Sequence, residues 1–151
     1  MDWKKLQKAE IFSGLSKEQI EAVIAISEVK DYAADDTVFE EGDEGKEIFV
    51  LVDGKVVIEI QMKLKTEKAL VHTVAPDQVF GEFALMDGQP RSASAVAVKD
   101  SSLLIIPIPA FNTLMKKQSD IGFIVMHNFN RILCSRIRKT NRELKASLLW
   151  D

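Results

Sequence analysis

The sequence predicts an α+β fold that is mainly β: a double-stranded, jelly-roll-like β-roll flanked by N-terminal helices and a long C-terminal helix. Three observations predict it. Helical hydrophobic spacing occupies both ends of the chain, and the middle, from about residue 29, breaks into short runs of β-branched residues. Turn residues then separate those runs at the spacing of a sandwich or closed barrel.

At the N-terminus, Trp3, Leu6 and then Ile11 or Phe12 fit a short helix that Asp2 can cap. Ser16-Lys17-Glu18-Gln19 has the form of a capping box, with Leu15 before it as the staple residue. Ile20, Val23, Ile24 and Ser27 follow at helical spacing. The strand runs are Val38-Phe39, Ile48 to Val52, Val56 to Ile60, Leu70 to Val74, Ala95 to Val98 and Leu103 to Ile106. Between them stand Glu41-Gly42-Asp43-Glu44-Gly45, Asp53-Gly54, the charged loop Lys63 to Lys68, Ala75-Pro76-Asp77 and Lys99-Asp100. Asp-Gly between two apolar runs predicts a hairpin at Asp53-Gly54. Pro109 is placed to start a helix. A longer helix is expected from about Asp120 to Leu148, capped by Ser119 or Asp120. Its stripe, Met126, Phe129, Leu133, Ile137, Thr140, Leu144 and Leu148, suits a nearly straight helix better than a left-handed coiled coil.

Size and composition bound the function. The 151 residues suit one domain, divided as N-terminal helices 1–28, β-roll 29–108 and C-terminal helices 109–151. No apolar run reaches the roughly 18 residues of a membrane span, and the N-terminus lacks a secretory signal. One cysteine, Cys134, excludes an internal disulfide and places the protein in the cytoplasm. Residues 116–151 hold eight Lys/Arg against three Asp/Glu, a net +5 that leaves −8 for residues 1–115. That basic end reads first as a solvated helix face, with contact to DNA as a competing reading.

The chemistry concentrates in Val79 to Val96. Phe80-Gly81-Glu82-Phe83-Ala84-Leu85 is a glycine-led turn opening one helical turn, and Arg91-Ser92-Ala93-Ser94 begins nine positions after Glu82. A guanidinium never loses its proton and meets two phosphate oxygens with one planar fork. Gly81 lets backbone approach a ligand, and the N–H groups after it point at an anion. A buried Glu82 can accept from a sugar hydroxyl, and small Ser92, Ala93 and Ser94 let the chain pass close by. Singly each is an ordinary turn or surface charge; jointly they form a site for a phosphate next to a ribose.

This joint pattern closely resembles the phosphate-binding cassette, residues 80–95 here, of the cyclic nucleotide-binding domain family, whose members include catabolite activator-type proteins and protein kinase A regulatory subunits. Ile11 to Ser16 resembles the family's opening helix–turn. Glu40 to Asp43, Phe49 to Leu51 and Asp53 to Val56 resemble its first β-roll hairpins. The resemblance implies that Glu82 contacts the ribose, that Arg91 with Ser92 and Ala93 holds the phosphate, and that the helix from about 120 closes over the base. Phe80, Gly81, Phe83 and Ala84 complete the binding set. On the lid, Arg136 and Thr140 are the polar candidates for the base. Ser92 does not separate cyclic AMP from cyclic GMP, because it follows the arginine in receptors of both; cyclic AMP is favoured.

Other sensing chemistries are excluded by count. One cysteine cannot hold an iron–sulfur cluster, and His72 in a strand and His127 in a helix read as structural histidines rather than haem ligands. No catalytic pairing or metal-ligand spacing stands out, so the expectation is a non-enzyme without cofactor or metal. No helix-turn-helix, kinase or channel motif is visible up to Asp151, so output is expected through an effector protein or through a homodimer on the long helix. The competing class is a ligand-independent scaffold that keeps the same fold.

Overall fold

The computed structural model describes residues 1–62 and 67–149. Helix α1 (Trp3–Leu6) is capped by Asp2, whose carboxylate accepts from the Lys4 N–H at 3.0 Å. Ile11 and Phe12 do not extend it; they form a separate 3-10 turn, Glu10–Phe12. Helix α2 (Lys17–Ala25) carries the expected capping box: Ser16 Oγ accepts from Gln19 N–H, and Gln19 Oε1 accepts from Ser16 N–H at 2.8 Å.

Six antiparallel strands form one sheet: β1 (Glu28–Tyr32), β2 (Thr37–Phe39), β3 (Glu47–Gln61), β4 (Lys68–Val74), β5 (Val79–Phe80) and β6 (Ser94–Pro107). Its path runs β1-β6-β3-β4, with β2 on β6 and β5 on β3. The roll is unclosed, so the barrel alternative does not apply. The charged loop beyond Gln61 falls largely on residues 63–66, outside the described residues, although Lys68 already belongs to β4.

The hairpin expected at Asp53-Gly54 is not there. Strand β3 runs straight through both residues for its full 15, and β6 runs through Lys99-Asp100 in the same way. The two sequence signals lie opposite each other across the β3–β6 ladder, where its register shifts between Leu51 and Val56. Each strand therefore takes a bulge where a turn is read from residue type alone. Ser101, buried there, accepts from Lys55 N–H at 3.0 Å and donates to the Lys99 carbonyl at 2.6 Å. Gly54 adopts φ +105°, and a Cβ on it would stand 2.3 Å from Ser101 Oγ, so only glycine fits.

The continuous apolar runs of β3 and β6 follow from burial on both faces. Ile48, Val50, Leu104 and Ile106 face the helices, packing with Leu6, Phe12 and Ile20 from one end of the chain and Phe111, Ile121 and Phe129 from the other. Their alternates Phe49, Leu51, Leu103 and Ile105 point into the roll with Val56, Val74 and Phe80.

Helix α3 (Phe83–Asp87) lies between β5 and β6. Helix α4 (Ile108–Lys117) has Pro109 in its first turn, and α5 (Ser119–Leu148) follows after Gln118 alone. Neither Ser119 nor Asp120 caps α5. Asp120 instead accepts from Gln19 Nε2 at 2.5 Å, tying α5 to α2. The expected stripe is the packed face only in part: Phe129 is buried and Met126 packs against the core, but the other buried positions are Ile121, Val125, Asn128 and Ile132, and Ile137, Leu144 and Leu148 are exposed. Among the described residues no helix is long and apolar enough to cross a membrane.

Candidate functional site

Arg91 is the most heavily positioned side chain of the cassette. Its backbone is clamped to the turn 40–45 by two hydrogen bonds, Gly42 N–H to the Arg91 carbonyl and Arg91 N–H to the Asp43 carbonyl, both 2.8 Å. Ser94 Oγ braces the same turn by accepting from Glu41 N–H at 2.9 Å. The guanidinium, 6% exposed as a residue, donates through Nη1 to the Gly81 carbonyl at 2.8 Å and through Nη2 to the Glu47 carbonyl at 2.7 Å. It lies 4.2 Å above the Phe39 ring centroid, on a cluster in which Phe49 and Phe80 stack at 5.2 Å. Gly81 is in the left-handed region at φ +72°, and a Cβ there would come within 2.9 Å of Arg91 Nη1. The glycine thus clears room for the arginine itself.

Two of the guanidinium's five N–H donors are taken by carbonyls. Nε is buried and has no acceptor among the described residues. Burial pulls the group below its ordinary pKa, opposed by Glu47, Asp43 and Glu82, and it stays a cation at neutral pH.

Glu82 precedes α3 and is 2% exposed. Its carboxylate accepts from Arg136 Nη1 on α5, and the same guanidinium donates through Nη2 to the Val79 carbonyl at 2.5 Å. Glu10 in the 3-10 turn stands 4.0 Å from the same guanidinium. Burial pushes the Glu82 carboxyl above the usual range, and the Arg136 charge works against that rise. In the first turn of α3, Leu85 and Met86 N–H both bond to the Glu82 carbonyl, leaving Phe83 and Ala84 N–H with no acceptor in the helix.

One cleft of about 830 Å³ connects these groups, within the range of small-molecule sites. All ten sequence-derived candidates line it: Phe80, Gly81, Glu82, Phe83, Ala84, Arg91, Ser92 and Ala93 from the cassette, Arg136 and Thr140 from α5. Arg136 is turned onto Glu82 rather than outward, and the Thr140 hydroxyl donates to the Arg136 carbonyl at 3.1 Å.

Sequence reasoning missed several positioning residues. Phe39, Glu47 and Glu10 come from segments far from the cassette in sequence. Asn128, buried on α5, donates to the Ile11 and Ser13 carbonyls at 2.9 and 2.8 Å and pins the helix to the 3-10 turn. The available signal was an amide side chain inside an otherwise apolar helix face. His72 also lines the cleft, and its Nε2 is buried without a partner among the described residues.

The profile of the family described as the cyclic nucleotide-binding domain matches residues 29–118. The chain belongs to the cyclic nucleotide-binding domain family. That match takes in the whole cassette and stops at the start of α5, so Arg136 and Thr140 lie beyond it. A cyclic AMP receptor protein of Thermus thermophilus is 29% identical over 134 residues, which are 89% of this chain and 60% of that protein. A CRP-like cAMP-activated global transcriptional regulator of Mycobacterium tuberculosis is 27% identical over 146 residues, 97% of this chain and 63% of the regulator. The chain therefore spans about three-fifths of the length of these bacterial relatives. The human cGMP-dependent protein kinase 2 is 30% identical over 108 residues, 71% of this chain but 14% of the kinase. Among solved structures, the catabolite activator protein of Thermus thermophilus matches with a TM-score of 0.78 at 28% identity, covering 91% of this chain and 62% of that one. The regulatory domain of Toxoplasma gondii PKA, co-crystallised with cAMP, matches with a TM-score of 0.68 at 25% identity over 75% of this chain and 42% of its own.

Proposed function

We propose that this cyclic nucleotide-binding domain takes cyclic AMP in preference to cyclic GMP and works as a non-catalytic regulatory module with α5 as its lid. The observation that carries the reading is the buried, unpartnered Nε–H of Arg91, in the same cleft as the buried Glu82. A phosphodiester supplies the missing acceptor, with Ser92, Ala93 and the free N–H groups of Phe83 and Ala84 as further donors around it. Glu82 accepts from the ribose 2′-hydroxyl. Phe80 and Gly81 hold the arginine in place.

Coupling to α5 runs through Arg136. Its guanidinium holds the carboxylate that the ribose needs, so ligand binding and helix position are tied through one ion pair. A nucleotide that prefers one placement of Arg136 shifts the population of α5 positions. Preference for cyclic AMP is supported by the names of the bacterial relatives, which cover nearly all of this chain. The same names, a receptor and a transcriptional regulator, support a regulatory rather than a catalytic role. Exposed Ile137, Leu144 and Leu148 suit a homodimer along the distal part of α5, and the exposed Cys134 thiol suits a reducing, cytoplasmic compartment.

Titration calorimetry with cyclic AMP and cyclic GMP tests the reading. Arg91→Lys keeps the charge and loses the fork; it is expected to weaken cyclic AMP by at least tenfold, since a charge-assisted hydrogen bond is worth about 1.5–3 kcal/mol. Absence of heat with both nucleotides on a folded wild-type protein would leave the scaffold reading in its place.

A further inference from the structure

Every cation that lines the cleft already faces a carboxylate, and the inference drawn from that rests on the reading just given. Arg136 is shared by Glu82 and Glu10, and Lys139 lies 3.7 Å from Glu143. Arg91, the cation left for a phosphate, has its own partner in Glu47, whose carboxylate stands 3.6 Å from Nη2. That distance makes an ion pair and is too long for a hydrogen bond. The bond that positions the guanidinium comes instead from the Glu47 carbonyl, at 2.7 Å. The carboxylate therefore contributes charge, and it does so from outside the cleft wall.

The wall itself carries three cations and, with Asp87, four carboxylates. Of the carboxylates that favour the charged form of Arg91, Glu47 acts most strongly, ahead of Asp43 and Glu82. The anion site thus has donors of good geometry but no surplus of positive charge. A cyclic phosphodiester brings one negative charge. An open phosphomonoester, whose second pKa is about 6, brings about 1.5 to 2 at pH 7. The additional charge would enter surroundings that are already negative, where like charges repel more strongly than in bulk water.

We propose that Glu47 sets the charge selectivity of this site. By offsetting part of the Arg91 charge it admits the singly charged cyclic phosphodiester and disfavours the doubly charged phosphomonoester of the same nucleoside. Glu47 touches no ligand and acts through Arg91. Hydrolytic opening of the cyclic phosphate adds water and yields that monoester, so the product of ring opening does not hold the domain in its bound state.

The test separates charge from ring shape with three ligands: cyclic AMP, 5′-AMP, and the methyl phosphodiester of 5′-AMP, which is open like 5′-AMP but singly charged. Dissociation constants are measured at low salt on wild type, Glu47→Gln and Glu47→Asp. Wild type is expected to bind the methyl ester about tenfold more tightly than 5′-AMP. In Glu47→Gln that ratio falls to about three, a change in keeping with a partly exposed charge. Glu47→Asp, which keeps the charge, retains most of the ratio, and the preference for cyclic AMP over the methyl ester is the same in all three proteins. A purely structural role for Glu47 would weaken all three ligands together and leave both ratios unmoved. A Glu47→Gln protein with the wild-type ratio, or a methyl ester that binds wild type as weakly as 5′-AMP, overturns the role of Glu47 and leaves the binding function standing. A folded wild type that binds neither cyclic AMP nor cyclic GMP overturns both.

Discussion

Residues 119–136 and 137–148 belong to one helix, α5, and have opposite fates. In the first stretch Ile121, Val125, Phe129 and Ile132 are buried against the 3-10 turn, α4 and the sheet, and Asn128 and Arg136 add polar ties to Ile11, Ser13 and Glu82. In the second, Ile137 is 59% and Leu148 67% exposed. Helical period alone makes a stripe; burial needs a facing surface, and this β-roll offers one for only half of the helix. Both halves reach the cleft, the first through Ile132 and Arg136 and the second through Ile137 and Thr140. The comparison separates residues that hold the lid from residues free to meet something else.

The strongest way to break that contrast is Phe129→Ala. Removing this fully buried ring is expected to cost about 3–5 kcal/mol in urea denaturation. A loss no larger than that of an exposed α5 residue would show that the proximal half is not packed as described.

Arg136→Met removes the charge that opposes burial of Glu82. Its effect is expected at about 1–3 kcal/mol, below the figure for a fully buried pair because Arg136 keeps some solvent contact. The pH dependence has a definite sign. With the folded pKa of Glu82 above its unfolded value, both states are protonated in acid and nothing is lost. As pH rises through the raised folded pKa the folded carboxylate ionises in a buried site and stability falls. Denaturation curves for Arg136→Met should therefore approach wild type near pH 4 and separate by pH 8; a gap independent of pH would count against Glu82 as the group left unpaired.

Asn128→Ala strips hydrogen bonds from two carbonyls of the 3-10 turn region, with an expected loss of about 1–3 kcal/mol. Faster amide exchange in residues 9–14 would mark the turn as the site of the damage. Smallest of all, Leu144→Lys should change fold stability by no more than about 0.5 kcal/mol. The same variant is expected to turn a dimer into a monomer in analytical ultracentrifugation; unchanged sedimentation would remove the distal half from the proposed dimer contact.

The cassette was legible because its chemistry is local. A glycine, a carboxylate nine positions before an arginine, and small residues around them specify one loop whatever lies beyond. Helix α2 was legible for the same reason, since Ser16 and Gln19 satisfy each other within one turn. Asp53-Gly54 misled because its residue types allow a tight turn or a bulge equally well. Pairing of β3 with β6, about 45 residues further along the chain, selected the bulge. Phe39 beneath Arg91 and Glu10 beside Arg136 could not be found from spacing, because each is brought to the cleft by a different element.

By itself the amino-acid order marked helical ends around an extended middle, and it drew Gly81, Glu82 and Arg91 together as the proposed phosphate cassette. Only the tertiary structure decided that Arg136 pairs with Glu82 and that Arg91 keeps a buried N–H without an acceptor among the described residues. Local preferences act over a few residues. Burial, ion pairing and the loss of solvent arise when distant segments meet.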